Sequence, residues 1–326
     1  MVICCGEALM DMVLTSFPEN GNGFLPLPGG CSYNTSIAIG RLGVPVQFLG
    51  KISTDFFGDI LIKRLRENNV GDNLIVRTEL NTTLAFINVC ENQTHENQAS
   101  ENQRPQYSFY IDGTSAPMLF PANLPSVLPA QTSCIVFGSI SMNMEPAAVT
   151  IEDFINRYQS DDSPLISFDP NIRPFMIKNR EMYIENFERW VSASVIVKLS
   201  AEDAEYVYPG FEPEKVLSKI LSLGTRLAIC TLGQDGSLAM LRCNDESIIT
   251  ASAPAIETTL VDTVGAGDTF HGAFLVWLQL RGKLSRSALS GLSEFELYDA
   301  LYFSNKAASF VCSRHGADPP WTEELR

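Results

Sequence analysis

The sequence predicts an α/β fold, a mainly parallel sheet with helices on both faces and a smaller β layer beside it. Three observations carry this expectation. Apolar runs of strand length recur along the chain: VICCGEAL (2–9), VQFLGKI (46–52), LAFINVC (84–90), CIVFGSI (134–140), LISFD (165–169), VIVKLS (195–200) and LAICTL (227–232). Segments with helical character fall between most of them: SIAIGRLG (36–43), GDILIKRLRENN (58–69), AAVTIEDFINRY (147–158), PEKVLSKILSLG (213–224) and EFELYDALYFSNKAASFVC (294–312). Several polar motifs follow directly after strands. Alternating strands and helices build βαβ units, whose sheets are covered on both faces. Such sheets bind ligands beyond the carboxyl ends of their strands.

Composition bounds the function. A chain of 326 residues with 45% hydrophobic content forms a sizeable core, as one large domain or two ordinary ones. A net charge of −15 argues against a nucleic-acid partner, which would need a basic stripe. Any phosphorylated ligand must then be met by a few cations gathered locally. The eight cysteines are scattered without a CxxC pair, the pattern of reduced thiols in a cytoplasmic protein. Cys4 and Cys5 alternate along a strand and so point to opposite faces, as core packing. The N-terminus shows no signal-peptide pattern, and no apolar run approaches membrane-spanning length, so a soluble protein without a membrane partner is expected.

The elements carry their polar motifs in order. In GEALMDMVL, Asp11 falls at the end of the first strand. Residues 12–32 read as irregular, rich in Gly and Pro. Within PGGCSYNTSIAIGRLG (28–43), Gly29 and Gly30 allow close backbone approach, and Asn34 falls near a helix start. Its amide both donates and accepts, which suits hydroxyl recognition and helix capping alike. Residues 84–111 read as a hairpin, LAFINVC and YSFYI, around ENQTHENQASENQRP. That insert repeats ENQxx and has no apolar anchors, as a mobile loop tip would. Hairpin and irregular segment together form a candidate lid.

In FDPNIRP (168–174), Asp169, Asn171 and Arg173 alternate, so an extended chain places them on one side. Pro170 and Pro174 stiffen the backbone around them. Arg173 is a fork donor suited to phosphate oxygens. VKLSAED (197–203) and TLGQDG (231–236) are further polar turns after strands, each weak alone.

The most informative stretch is DTVGAGDTFHGAF (262–274). Phe270, Ala273, Phe274 and Trp277 fall at i, i+3, i+4 and i+7, one stripe of a helix. Asp268 therefore lies in the first turn, beside the amides of Gly265, Ala266 and Gly267. A glycine-rich turn opening a helix binds anions through its N–H groups and the helix dipole. Asp268 either stabilises the helix start by about 0.3–1 kcal/mol, or the acid and the anion site serve one reaction. The dinucleotide fingerprint is excluded because position 270 is Phe, and GxxxxGK[ST] does not occur.

Taken in order, these motifs resemble the ribokinase-like, phosphofructokinase-B type family of carbohydrate kinases, end to end. GG…N…RLG at 29–43 and DTVGAGDTF at 262–270 carry the resemblance. GEALMD, SFDPNIRP and VKLSAED look most like the family's fructokinases. The resemblance implies a single three-layer α/β/α domain over 1–326, with a β-sheet lid from about 12–32 and 84–116 and the repeat loop at 91–103. It implies transfer of the γ-phosphoryl group of MgATP to a sugar hydroxyl, D-fructose first. Another sugar, a sugar acid such as 2-keto-3-deoxygluconate, a nucleoside, or a non-catalytic sugar-sensing role are the alternatives.

Carried over, the family's roles make Asp268 the catalytic base, kept ionised by the helix dipole, and Gly265, Ala266 and Gly267 the anion hole. Asp11, Gly29, Gly30 and Asn34 would hold sugar hydroxyls. Arg173 would lie near phosphate or sugar, with Asp169 and Asn171 around it. Lys198, Ser200 and Asp203 would line the nucleotide-phosphate and magnesium region. Thr231, Gly233 and Gly236 would border the nucleotide, with Asn305 near adenine. Asp262 and the 312–317 loop would hold an activating K⁺, and the lid would support a homodimer. One departure stands out: Ile111 and Asp112 occupy positions where many relatives carry Arg, which weakens the case for a carboxylate-bearing substrate and for fructose.

Overall fold

Apolar strands buried on both faces build the centre of the molecule. The computed structural model describes residues 1–17, 21–88 and 106–325, so the ENQ repeat lies outside the described residues. The chain begins β1 (Val2–Cys5), β2 (Leu9–Phe17), β3 (Gly21–Gly29), α1 (Cys31–Arg41), β4 (Val46–Ser53), α2 (Phe56–Glu67) and β5 (Val70–Thr78). It continues β6 (Leu84–Asn88), β7 (Gln106–Tyr110), β8 (Cys134–Gly138), α3 (Ala147–Asn156), β9 (Leu165–Asp169), α4 (Arg180–Ser192) and β10 (Ile196–Ser200). After α5 (Ala201–Val207) and α6 (Pro213–Ser222) come β11 (Leu227–Thr231), β12 (Ser237–Arg242) and β13 (Ile248–Ala253). The last helices are α7 (Ala266–Leu280), α8 (Arg286–Leu289) and α9 (Glu294–Cys312).

The main sheet runs β13-β12-β11-β10-β9-β8-β1-β4-β5. Its pairs are parallel except around β12, which runs antiparallel to β11 and β13. Alternation along each strand feeds two cores. Val2 and Cys4 join α1, α2, α7 and α9 on one face; Ile3 and Cys5 join α3, α4 and α6 on the other. The sheet is thus sandwiched between helical layers, and the adjacent cysteines do point to opposite faces. From β1 the chain winds outward to β4 and β5, then returns to β8 on the other flank. That reversal makes the carboxyl ends of β1 and β8 the switch point, where a crevice forms in such sheets.

The second sheet, β3-β2-β6-β7, stands over this crevice in the place expected for the lid. Its β2–β3 and β6–β7 pairs are antiparallel and its β2–β6 pair is parallel. The described part of 12–32 is therefore not irregular: Leu9–Phe17 and Gly21–Gly29 pair in full register. Pro26 and Pro28 are tolerated because β3 is an edge strand with one neighbour. The apolar run 2–9 is likewise not one strand. It breaks at Gly6, where an added Cβ would stand 2.4 Å from Ser32 Oγ, and the chain passes from the main sheet into the lid. Asp11 accordingly lies in the lid strand β2 and not at the end of the first strand.

Candidate active site

The start of α7 is built to leave its amides free. Gly265 is the N-cap residue at φ 78°, a left-handed conformation natural to glycine, and no side chain caps the helix. An added Cβ at Gly265 would stand 2.5 Å from Ala317 Cβ, so the 312–317 loop packs directly against this turn. The amides of Gly265 and Gly267 have no protein acceptor among the described residues, and both glycines line a cavity of about 250 Å³. Ala266 differs from the expectation: its N–H donates to Thr263 O at 3.2 Å, closing the turn.

Asp268 does not fold back onto its own helix. Its Oδ2 accepts a 2.9 Å hydrogen bond from Asn34 Nδ2 on α1, so neither residue acts as a side-chain helix cap. Burial raises the Asp268 pKa, and the hydrogen bonds from Cys31 and Asn34 offset only part of that. The dipole alone therefore does not set its ionisation. A base with a raised pKa accepts a proton more readily, which suits general-base work near neutral pH. Asn34 lines the cavity, and its Oδ1 is buried without a partner.

Around this pair stand the other polar walls. Asp11 lines the cavity from the lid, and an added Cβ at Gly29 would overlap its Oδ2 at 2.1 Å, so Gly29 makes room for that carboxylate. Enclosure pushes the Asp11 pKa up to about 7, with Arg173 opposing and Asp268 and Glu7 reinforcing the rise. Gly30 lines the cavity as the N-cap residue of α1. Glu7 is a cavity residue that the motifs did not single out. It is buried, its Oε1 accepting from Cys31 N at 2.9 Å and its Oε2 from Ser141 Oγ. The signal was its place just past the first strand, the position already noted for Asp11. Ile87, Tyr107 and Phe109 close the cavity from the lid.

The FDPNIRP segment divides. Asn171 takes a φ of 36°, so the chain is not extended and the three polar residues do not share a side. Asn171 and Arg173 line the cavity, Arg173 Nη1 donating to Asn171 Oδ1 at 2.9 Å. Asp169 instead turns inward and pairs with Lys198, its Oδ2 2.9 Å from Lys198 Nζ, both nearly fully buried. Burial is the largest influence and opposes the charge on Lys198, but Asp169, Cys31 and Asp203 together outweigh it and raise the lysine pKa.

The expected nucleotide residues lie outside the cavity. Ser200 and Asp203 form the capping box of α5: Asp203 N–H donates to Ser200 Oγ at 3.0 Å and Ser200 N–H to Asp203 Oδ2 at 2.9 Å. Asp203 Oδ1 accepts from Ile172 N at 2.7 Å. Both oxygens are thus engaged with amides, which makes Asp203 a poor fit for the expected magnesium ligand. Thr231, Gly233 and Gly236 surround the turn after β11, where an added Cβ at Gly236 would meet Ala253 O at 2.1 Å. Asn305 joins this corner and spends its amide donor on Ala253 O and Pro254 O at 3.1 and 3.0 Å. Asp262 and the 312–317 loop do meet, through Gly316 N–H to Asp262 Oδ2 at 2.8 Å. Ile111 packs beside a small apolar cluster and Asp112 is exposed, and neither lines the cavity. A larger groove of about 550 Å³ between β13 and α9 holds none of these groups. No helix among the described residues is long and apolar enough to cross a membrane.

Known proteins share both sequence and fold with this chain. The family model for pfkB family carbohydrate kinases matches residues 1–324. A fructokinase of Rhizobium leguminosarum bv. trifolii is 33% identical over 294 residues, 90% of this chain and 84% of the relative. A probable fructokinase-5 of Arabidopsis thaliana is 28% identical over 98% of this chain and 93% of its own length. The solved fructokinase of Xylella fastidiosa with bound ATP superimposes at a TM-score of 0.83 and 25% identity, covering 97% of this chain and 93% of that one. With the acid turned away from its helix, the amides left open and the match running nearly end to end, the chain belongs to the pfkB family of carbohydrate kinases.

Proposed function

We propose that this chain is an ATP-dependent fructokinase, transferring the γ-phosphoryl group of MgATP to a hydroxyl of D-fructose. One observation carries the reading: Asp268 faces the cavity under a hydrogen bond from Asn34, beside the open amides of the α7 start. Phosphoryl transfer asks mainly for positioning and charge stabilisation. The attacking hydroxyl needs a carboxylate within hydrogen-bond reach to orient it and take its proton. The moving phosphoryl group needs N–H donors aimed at its oxygens, supplied here by Gly265 and Gly267. Asp11 and Asn34 would hold further hydroxyls, and Arg173 would face phosphate or sugar. Magnesium would ride on the nucleotide's phosphates and water, supplying charge neutralisation. K⁺ would sit where Asp262 meets the 312–317 loop, drawing on backbone carbonyls there, since both Asp262 oxygens accept from amides, of Val264 and Gly316.

The choice of a neutral sugar rests on charge. Glu7, Asp11 and Asp268 line the cavity against one guanidinium, already engaged with Asn171, so a carboxylate-bearing substrate meets repulsion. A coupled ADP-release assay over fructose, ribose, 2-keto-3-deoxygluconate, tagatose and adenosine tests this reading. Fructose should give the highest kcat/KM, and preferred turnover of the sugar acid would refute the charge argument.

A further inference from the structure

We infer that the buried Lys198 ammonium is a positioning residue for the reaction proposed above, on which this inference rests: it underlies the anion hole and holds Asp169 behind the base, and it does not bind the nucleotide. The strand fixes where it points. In β10, Val197 and Leu199 enter the core under α4 and α6, while Ile196 enters the opposite core beneath α7. Alternation sends Lys198 to the α7 side. Its side chain is 5% exposed, and its Nζ lies 3.0 Å from where a Cβ on Gly267 would stand. The ammonium therefore sits under the first turn of α7, in the space that glycine leaves open.

Around it runs a buried polar chain. Asp169 Oδ2 takes Lys198 Nζ at 2.9 Å and also faces Cys31 Sγ at 3.9 Å and His271 Nδ1 at 3.8 Å. His271 Nε2 meets Ser167 Oγ at 2.7 Å, which leaves Nδ1 facing the carboxylate. Cys31, Asp169 and Asp268 each place a sulfur or oxygen within 4.8 Å of the others, so the base shares a pocket with the Asp169 carboxylate. Without Lys198 that pocket would be strongly negative next to the place where an anionic phosphoryl group must sit.

Stability alone gives little reason for this arrangement, since a buried ion pair contributes little over a well-packed apolar pair. Its electrostatic reach is another matter. A positive charge beneath a helix start adds to the dipole already directed at an incoming anion, and burial spares it from salt screening. It also favours the ionised form of Asp268. The titratable and charged groups near that acid are Cys31, Asp169, Lys198, His271 and, around the cavity, Glu7, Asp11 and Arg173. Among them Lys198 lowers the Asp268 pKa and Asp169 raises it. Removing Lys198 alone must therefore move the base upward.

Steady-state kinetics of Lys198→Met and of Lys198→Met with Asp169→Asn decide the matter. The single variant should lose at least about tenfold in kcat, with KM for ATP nearly unchanged. Its kcat/KM should also start to fall, as pH is lowered, at a higher pH than in the wild type. The double variant removes both charges of the pair, so its melting midpoint should return toward the wild-type value, while kcat stays low for want of a cation beneath the anion hole. A raised KM for ATP at unchanged kcat would make Lys198 a nucleotide contact and overturn the inference. Recovery of kcat together with the midpoint in the double variant would make the pair merely structural, with the same consequence. If the single variant does not fold, the double variant carries the test. Wild-type protein that turns over no acceptor would overturn the kinase reading, whereas full activity in Lys198→Met would overturn only the lysine's role.

Discussion

Asp268 holds a costly position for a carboxylate: buried, near Asp11 and Asp169, with its pKa raised by burial. Function and stability should therefore pull apart there. As the general base, Asp268 must be ionised, so activity is lost as pH falls through its pKa, which burial raises. Asp268→Asn should lower kcat by roughly 10²–10⁴-fold, and near-wild-type turnover would refute the assignment. The stability sign is opposite. A carboxyl group with a raised folded pKa stabilises the fold below its unfolded pKa, and that contribution is lost as pH rises through the folded value. At neutral pH the neutral Asn variant should melt at or above the wild-type temperature, read by thermal denaturation. The acid was legible in the sequence because helical spacing after it fixed its place in the first turn. Asn34 was legible too, as a polar residue beside a Gly pair, but its pairing with Asp268 was not, because 234 residues separate them and no local pattern encodes such a contact. Asp169 was legible as polar and strand-terminal, and alternation in β9 sends it to the α7 side with Ser167; its parting from Asn171 and Arg173 follows from the positive φ of Asn171, which the pattern does not foresee.

Elements place these residues, and two of them are held by features a substitution can probe. Gly265→Ala imposes a left-handed conformation on alanine and pushes its Cβ onto Ala317. Such strain is of order 1–3 kcal/mol, so the variant should melt at lower temperature and lose kcat as the α7 start and the 312–317 loop separate. Phe175, just past FDPNIRP, stacks on Tyr107 and Phe109 of β7 at 5.6 and 5.5 Å, joining the loop after β9 to the lid. Aromatic pairs are worth about 0.5–1.5 kcal/mol beyond their area. Phe175 is largely exposed, so Phe175→Ala should raise KM for the sugar several-fold with little change in melting temperature. The parallel strands were legible because burial on both faces makes their runs continuously apolar. The lid strand β3 was not, because an edge strand tolerates the Gly and Pro that normally mark loops. Helix α1 begins at Cys31, ahead of the expected segment, because Cys31–Gly40 is buried throughout and so shows no amphipathic stripe.

At the scale of the molecule, the site lies between two bodies of unequal stability. The main sheet is covered on both faces, and β1, β8 and β9 are fully buried. The lid strands β3 and β7 are edges with exposed residues along much of their length. Local opening follows burial and contact, so exchange of backbone amides should divide the same way. In the free protein, β3 and β7 amides should exchange with deuterium well before those of β1, β8 and β9. Cavity residues come from both bodies, Asp11, Tyr107 and Phe109 from the lid and Gly265, Gly267 and Asp268 from α7. A sugar held between them must then slow lid exchange selectively, because opening the lid would break its contacts. Adding fructose with a non-hydrolysable ATP analogue should protect β2, β3, β6 and β7 and leave the main-sheet centre unchanged. Uniform protection across both sheets would show global stabilisation and refute a lid that closes on the sugar.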